Sequence, residues 1–106
     1  MDRLSRIDMV LKLLEKEPND LFLNYALGLE YTAELNLQDA EELFIKVIRL
    51  DANYLGAYYQ LGKLLESQLK NKEALVFYKE GLEKAKALKN TKALNEFEEA
   101  VFLLEE

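Results

Sequence analysis

The sequence predicts an all-α chain of about six helices, built from a helical hairpin written twice in tandem. Three observations carry this. The first is a repeat at a spacing of about 34 residues, in which Leu21 recurs as Leu55, Tyr25 as Tyr59, Leu27-Gly28 as Leu61-Gly62, Leu35 as Leu69, Ala40 as Ala74 and Phe44 as Tyr78. The second is composition: the long segments are rich in Leu, Glu, Lys and Ala, which lose little side-chain entropy in a helix, and one Pro and four Gly leave little punctuation. The third is periodicity, since the apolar residues recur at three and four residue steps and no strand is read.

From Asp2 to Lys16 the apolar residues Leu4, Ile7, Val10, Leu11 and Leu14 fall on one helical face, with Asp2 as N-cap. Pro18 ends that helix. Asn19 or Asp20 then caps a second helix reaching about Glu34, whose inward positions are Leu23, Leu27, Gly28 and Tyr31. Asn36 followed by Asp39 signals a third, with a stripe of Ala40, Leu43, Phe44, Val47 and Ile48. Asn53 opens the next hairpin. Its first helix turns Tyr58, Leu61, Gly62 and Leu65 inward, and its second Ala74, Tyr78, Gly81 and Leu82. Loops of about 3 to 5 residues make neighbouring helices antiparallel. Gly28 is expected opposite Ala40, and Gly62 opposite Ala74, where small residues let two backbones approach.

The bounds set by composition agree. A chain of 106 residues, half of them hydrophobic, suits one domain burying roughly 65% of its unfolded surface. With no Cys and no His, disulfides, thiolate metal sites and the commonest general base are excluded. The net charge of −6, from 14 basic and 20 acidic residues, repels phosphate backbones and anionic membranes, so no nucleic acid and no membrane is expected as partner. No secretion signal or apolar run long enough to span a membrane is read, which makes cytoplasmic the expected location.

Leu27-Gly28, Tyr31, Ala40 and Phe44, and in the second copy Tyr58, Leu61-Gly62, Ala74 and Tyr78, resemble the leucine-glycine, tyrosine, alanine and aromatic spacing of the tetratricopeptide repeat. That resemblance implies a short right-handed superhelix of stacked helices, in which residues 1–18 form an N-terminal helix, 21–54 and 55–88 two full repeats, and 89–106 a capping helix. Pro18 falls one period before Ala52, so the first helix resembles the second half of a repeat. Departures are limited: Asn24 stands where a tryptophan is usual, Leu65 where a tyrosine is, and Ala52 and Lys86 where the repeat ends in proline. Asn24 is assigned to solvent, with Leu23 supplying the packing. The cap from about Thr91 to Glu105 fits once the frame slips by two residues, which turns Leu94, Phe97, Val101 and Leu104 inward and puts Glu98 at the glycine position.

No catalytic constellation is read: adjacent pairs such as Glu41-Glu42 and Glu98-Glu99 point about 100° apart, and Ser5, Ser67, Thr32 and Thr91 have no His to activate them. Glu30 and Glu34 share a face, but two carboxylates fall short of a calcium shell. No metal, no cofactor and no enzymatic activity is expected. Tyr25 and Tyr59 lie one repeat apart on the face that lines the inner groove in the resembled family. Phe22 and Leu29 share that face, Lys63 and Glu66 continue it in the second copy, and Asn95, Glu99 and Phe102 extend it to the cap. The expected partner is a short peptide or partner helix, since tyrosine combines a large apolar surface with a hydroxyl. A clamp for acidic chaperone tails fits poorly, because Tyr25 and Leu29 stand where that use would place a Lys and an Asn. The alternative is a structural homodimer or larger homo-oligomer, in which a second copy covers apolar surface left by Leu4, Met9, Leu11 and Leu13.

Overall fold

In the computed structural model, which describes residues 2–105, every regular element among the described residues is a helix. These are α1 (Arg3–Lys16), α2 (Leu21–Ala33), α3 (Leu37–Leu50), α4 (Leu55–Ser67), α5 (Asn71–Leu88) and α6 (Thr91–Leu104). They group into two compact units, α1 to α3 and α4 to α6, divided between Ala52 and Asn53. In the first, α2 packs on α3 and α1 docks on α2; in the second, α5 packs on both α4 and α6.

The helix starts follow from side-chain oxygens that satisfy otherwise unpaired N–H groups. Asp2 accepts from the Ser5 N–H at 2.9 Å, Asp20 from Leu23 at 2.8 Å and Asn90 from Ala93 at 3.0 Å. Asn36 makes no such bond; its amide donates instead to Asp39 Oδ2 at 2.9 Å.

Three helices end on the same device. Leu35, Leu69 and Lys89 adopt left-handed φ values of 62°, 63° and 57°, and the next residue's N–H returns to a carbonyl of the last turn: Asn36 to Tyr31, Lys70 to Leu65, Asn90 to Ala85. These are Schellman ends, reached here by side chains that carry a Cβ penalty in that region. The last of them also corrects the expected loop length. Only Lys89 and Asn90 separate α5 from α6, because one reverses the chain and the other caps the next helix.

The helices are held together by an interlock of one form. A Cβ built on Gly28 would stand 2.6 Å from Phe44 Cε1, one on Gly62 would overlap the Tyr78 ring, and one on Gly81 would stand 2.5 Å from Phe97 Cε1. In each case the aromatic residue follows the glycine by the same interval in sequence, and each ring is at most 1% exposed. The rings of Phe44 and Tyr78 follow by four residues the alanines expected opposite Gly28 and Gly62, Ala40 and Ala74. Ala40 and Ala74 are fully buried, but the nearest atoms to each glycine belong to the ring one helical turn further on.

Outside α1, whose apolar face buries only Ile7 and leaves Leu4 and Leu11 exposed, burial follows the predicted stripes, with Leu27, Phe44 and Val47 buried in the first unit, and Tyr58, Leu61, Leu65, Tyr78 and Phe97 in the second. Asn24 departs from expectation. It is 1% exposed, and its amide donates to the carbonyls of Pro18 at 3.0 Å and Asp20 at 2.8 Å. A buried amide is tolerated when its N–H groups are paired, and here the loop before α2 supplies the acceptors. Lys46 Nζ donates to the same Pro18 carbonyl at 2.8 Å, so one loop oxygen ties α2 and α3 together.

Candidate functional site

The predicted site residues fall into two sets, one in each unit. In the first, Phe22, Tyr25 and Leu29 stand on one face of α2, three and four residues apart. Phe22 is 69% exposed and Leu29 38%, while the half-buried Tyr25 tilts its ring against Phe44, with centroids 5.8 Å apart. Carboxylates further along α2 are engaged by α1: Arg6 binds Glu30 at 2.8 Å, and Arg3 reaches Glu34 at 3.3 Å. The Arg6 hydrogen bond and charge hold the Glu30 carboxyl below its ordinary value.

In the second unit, Tyr59, Lys63 and Glu66 line one hollow of about 240 Å³, together with Tyr78 of α5 and Glu96, Glu99, Ala100 and Leu103 of α6. Its aromatic wall is a cluster. Tyr59 meets the Tyr78 ring at 5.9 Å and the Phe97 ring edge-on at 5.8 Å, distances at which offset and edge-to-face pairs attract. Lys63 carries its ammonium over the Tyr59 ring at 5.9 Å, within cation–π range.

The Tyr78 hydroxyl donates to Glu66 Oε1 at 2.9 Å. Burial, and then the hydrogen bond to that carboxylate, push the phenol well above its ordinary value of 10.0. It therefore remains a donor at any physiological pH. Glu96 and Glu99 are exposed, and neither has an ion-pair or hydrogen-bond partner among the described residues.

Phe102 stands elsewhere. It is 68% exposed and lines a second hollow of about 650 Å³ with Leu82, Glu98, Val101, Leu103 and Glu105. Asn95 is exposed and absent from the lining of the smaller hollow. Of the predicted α6 stripe, Glu99 lines the smaller hollow, where its neighbours are Glu96, Ala100 and Leu103 in place of Asn95 and Phe102.

Glu30 and Glu34 hold arginines, and the described residues contain no group of three or more acidic side chains able to hold a metal ion. No helix among the described residues is long and apolar enough to cross a membrane.

No sequence-family model matches the chain, and no curated protein is significantly similar to it. Solved structures are. A tetratricopeptide repeat domain protein from Salinibacter ruber, in a solution NMR structure, is 35% identical over 83% of this chain and 89% of that one, with a TM-score of 0.79. A crystal structure of such a protein from the same organism matches at 35% identity over 81% and 97%, with a TM-score of 0.75. The TPR2B domain of yeast Sti1, solved as a complex with pHsp70, is 14% identical over 97% and 82%, with a TM-score of 0.87, and shares the fold. The Gly-to-ring interlocks, the repeated tyrosines and the Salinibacter likeness agree, and the chain belongs to the tetratricopeptide repeat family.

Proposed function

We propose that the chain is a non-enzymatic protein-interaction module that captures a short peptide or partner helix through Tyr25 on α2 and Tyr59 on α4. The observation that carries this reading is the hollow beside Tyr59, where one ring is shared between a structural cluster and a solvent-open space lined by charged side chains. A half-buried tyrosine held rigid by neighbouring rings loses little entropy on contact, which is what a recognition surface requires. Further support comes from proteins of the same fold: the yeast Sti1 domain is solved with pHsp70, and the first TPR of Spaghetti (RPAP3) with the HSP90 peptide SRMEEVD. Phe22 and Leu29 flank Tyr25, Lys63 and Glu66 flank Tyr59, and Phe102 contributes separately from the cap.

The test is affinity capture of a partner, repeated with Tyr25→Ala and Tyr59→Ala together. Capture should fall below detection while the circular dichroism melt moves by less than about 10 °C, the shift expected for roughly 2 kcal/mol in a chain this size. Undiminished capture would remove both faces from consideration.

A second reading, a structural homo-oligomer, is favoured by one observation. Helix α1 contributes only Ile7 to the buried core, leaving Leu4 67%, Met9 48%, Leu11 40% and Leu13 45% exposed. Sedimentation at about 100 μM separates the readings. A dimer lost on Leu11→Glu supports self-assembly, and a monomer at that concentration counts against it.

A further inference from the structure

We infer that the hollow between α4, α5 and α6 accepts the side chain of an arginine from an extended segment of the partner protein. This rests on the interaction-module reading and specifies its chemistry. Size is the first argument. A space of about 240 Å³ lies below the range of about 300 to 1,000 Å³ usual for small-molecule sites, so it suits one long side chain, not a helix or a cofactor.

Charge is the second. Glu66, Glu96 and Glu99 face a single ammonium, Lys63, so a cationic guest is drawn in and an anionic one repelled. Glu66 already accepts from the Tyr78 hydroxyl, which fixes its carboxylate against the wall. Glu96 and Glu99, one turn apart on α6, form no ion pair with any described residue.

The molecule itself supplies the third argument. Where two carboxylates stand one turn apart at the end of α2, Glu30 within it and Glu34 at its C-cap, the answer within the first unit is a pair of arginines: Arg6 on Glu30, and Arg3 on Glu34. The second unit presents a comparable pair on α6 that no described arginine or lysine pairs with. An aromatic ring beside the pair favours guanidinium over ammonium, because a planar cation stacks on tyrosine while its N–H fork meets carboxylates. Lys63 shows the ring's affinity for positive charge, since its exposed side chain returns its ammonium over Tyr59. It occupies the site weakly, as an internal stand-in that an arginine would displace.

The experiment uses the full chain, labelled with nitrogen-15, and three blocked alanine-leucine pentapeptides that differ only in a central arginine, norleucine or glutamate. Amide shifts are followed in titration. The arginine peptide should move the amides of Tyr59, Lys63, Glu96 and Glu99 saturably, and bind about tenfold more weakly to Glu96→Gln/Glu99→Gln. It should bind a few-fold more tightly to Lys63→Gln, which removes the internal competitor. All three positions are on the surface, so the fold is not at risk.

Equal binding of the norleucine peptide, preference for the glutamate peptide, binding of the arginine peptide indifferent to Glu96→Gln/Glu99→Gln, or no binding of the arginine peptide each overturns the assignment. The two readings fail separately. If partner capture needs Tyr59 but survives Glu96→Gln/Glu99→Gln, the interaction module stands and the arginine site falls; if capture ignores Tyr25 and Tyr59, the module reading falls first.

Discussion

The two repeats place the same scaffold under different chemistry. Counting along the repeat, Tyr25 corresponds to Tyr59, Leu29 to Lys63, Thr32 to Glu66 and Phe44 to Tyr78. The glycine-to-ring interlock is common to both, and so is the tyrosine leaning on the locked ring. What differs is polar and linked. In the second unit the ring gains a hydroxyl, and the residue near it becomes the carboxylate that accepts its proton. In the first, the ring has no hydroxyl and Thr32 instead bonds back to the Gly28 carbonyl at 2.8 Å. A buried hydroxyl is added only where an acceptor comes with it, which is what the cost of an unpaired polar group demands. The comparison shows that packing is the conserved part of the repeat and that the open face is free to vary.

The largest effect should come from breaking the shared part. Gly62→Ala places a methyl inside the Tyr78 ring, and Gly28→Ala does the same at Phe44. Neither ring has room to retreat, since both are 0% exposed. We expect each substitution to cost about 1 to 2 kcal/mol net, as overpacking in the upper part of its usual range of about 1 to 3 kcal/mol outweighs the roughly 1 kcal/mol by which a helix prefers alanine to glycine. The midpoint of urea unfolding reads this directly. A neutral or stabilising result at either glycine would mean that the interlock does not set the helix spacing.

The next effect is confined to the second unit. Tyr78→Phe removes the hydroxyl that Glu66 accepts and should cost about 1 kcal/mol. Paired with Glu66→Gln in a double-mutant cycle, it should show coupling, for which the first unit has no counterpart. The pH dependence is also specific to it. Because the folded phenol titrates above its unfolded value near 10, stability from this group is complete below that value and is lost as the pH rises past it. Wild type should therefore lose more stability than Tyr78→Phe between about pH 9 and pH 11 in chemical melts. Equal losses would remove the Tyr78–Glu66 bond from the account.

Acid should probe the other unit. The Ser5 N–H holds the Asp2 carboxyl below its ordinary value, and the Arg6 side chain does the same for Glu30. Groups lowered on folding stabilise above their unfolded values, 3.8 and 4.5 here, and that stabilisation is lost as the pH falls through the lower folded values. Both groups secure α1, so amide exchange in α1 should accelerate at low pH before that of α3. Because these groups are exposed, the effect should be smaller than those above.

Much of this was legible in the sequence. Asp2, Pro18 and Asp20 marked where helices start and stop, and the stripes of α3 and α4 named the core. Three things were not. Periodicity told which residues of α2 and α3 turn inward but not which side chain comes nearest to which, so the seat of the Phe44 ring on Gly28 was not read. Asn24 was read as solvated because the carbonyls that satisfy it come from Pro18 and Asp20, through a loop path that no periodicity describes. The third concerns α6. The stripe read there turned Phe97 inward and put Glu99 on the open face, as found, but the residues beside Glu99 in the hollow are Glu96 and Leu103, each one position from the predicted Asn95 and Phe102. A single helical step of about 100° is within the error of a stripe read from sequence alone.

The smallest expected effect tests whether the repeats are alike where the sequence says they are. Leu35 and Leu69 occupy the same left-handed position at φ 62° and 63°, and both are largely exposed, at 79% and 86%. Glycine there relieves a steric penalty of roughly 1 kcal/mol in the folded state, while its greater freedom in the unfolded chain returns about 0.5 to 1 kcal/mol of that gain. Each of Leu35→Gly and Leu69→Gly should therefore change stability by only a few tenths of a kcal/mol, in the stabilising direction, because an exposed side chain forfeits little packing. The two changes should match, since the backbone bonds that close each helix end are the same in both copies. A clear loss at only one site would mean that its leucine makes a contact in solution that the other does not, and would place a difference between the repeats in their loops as well as on their open faces.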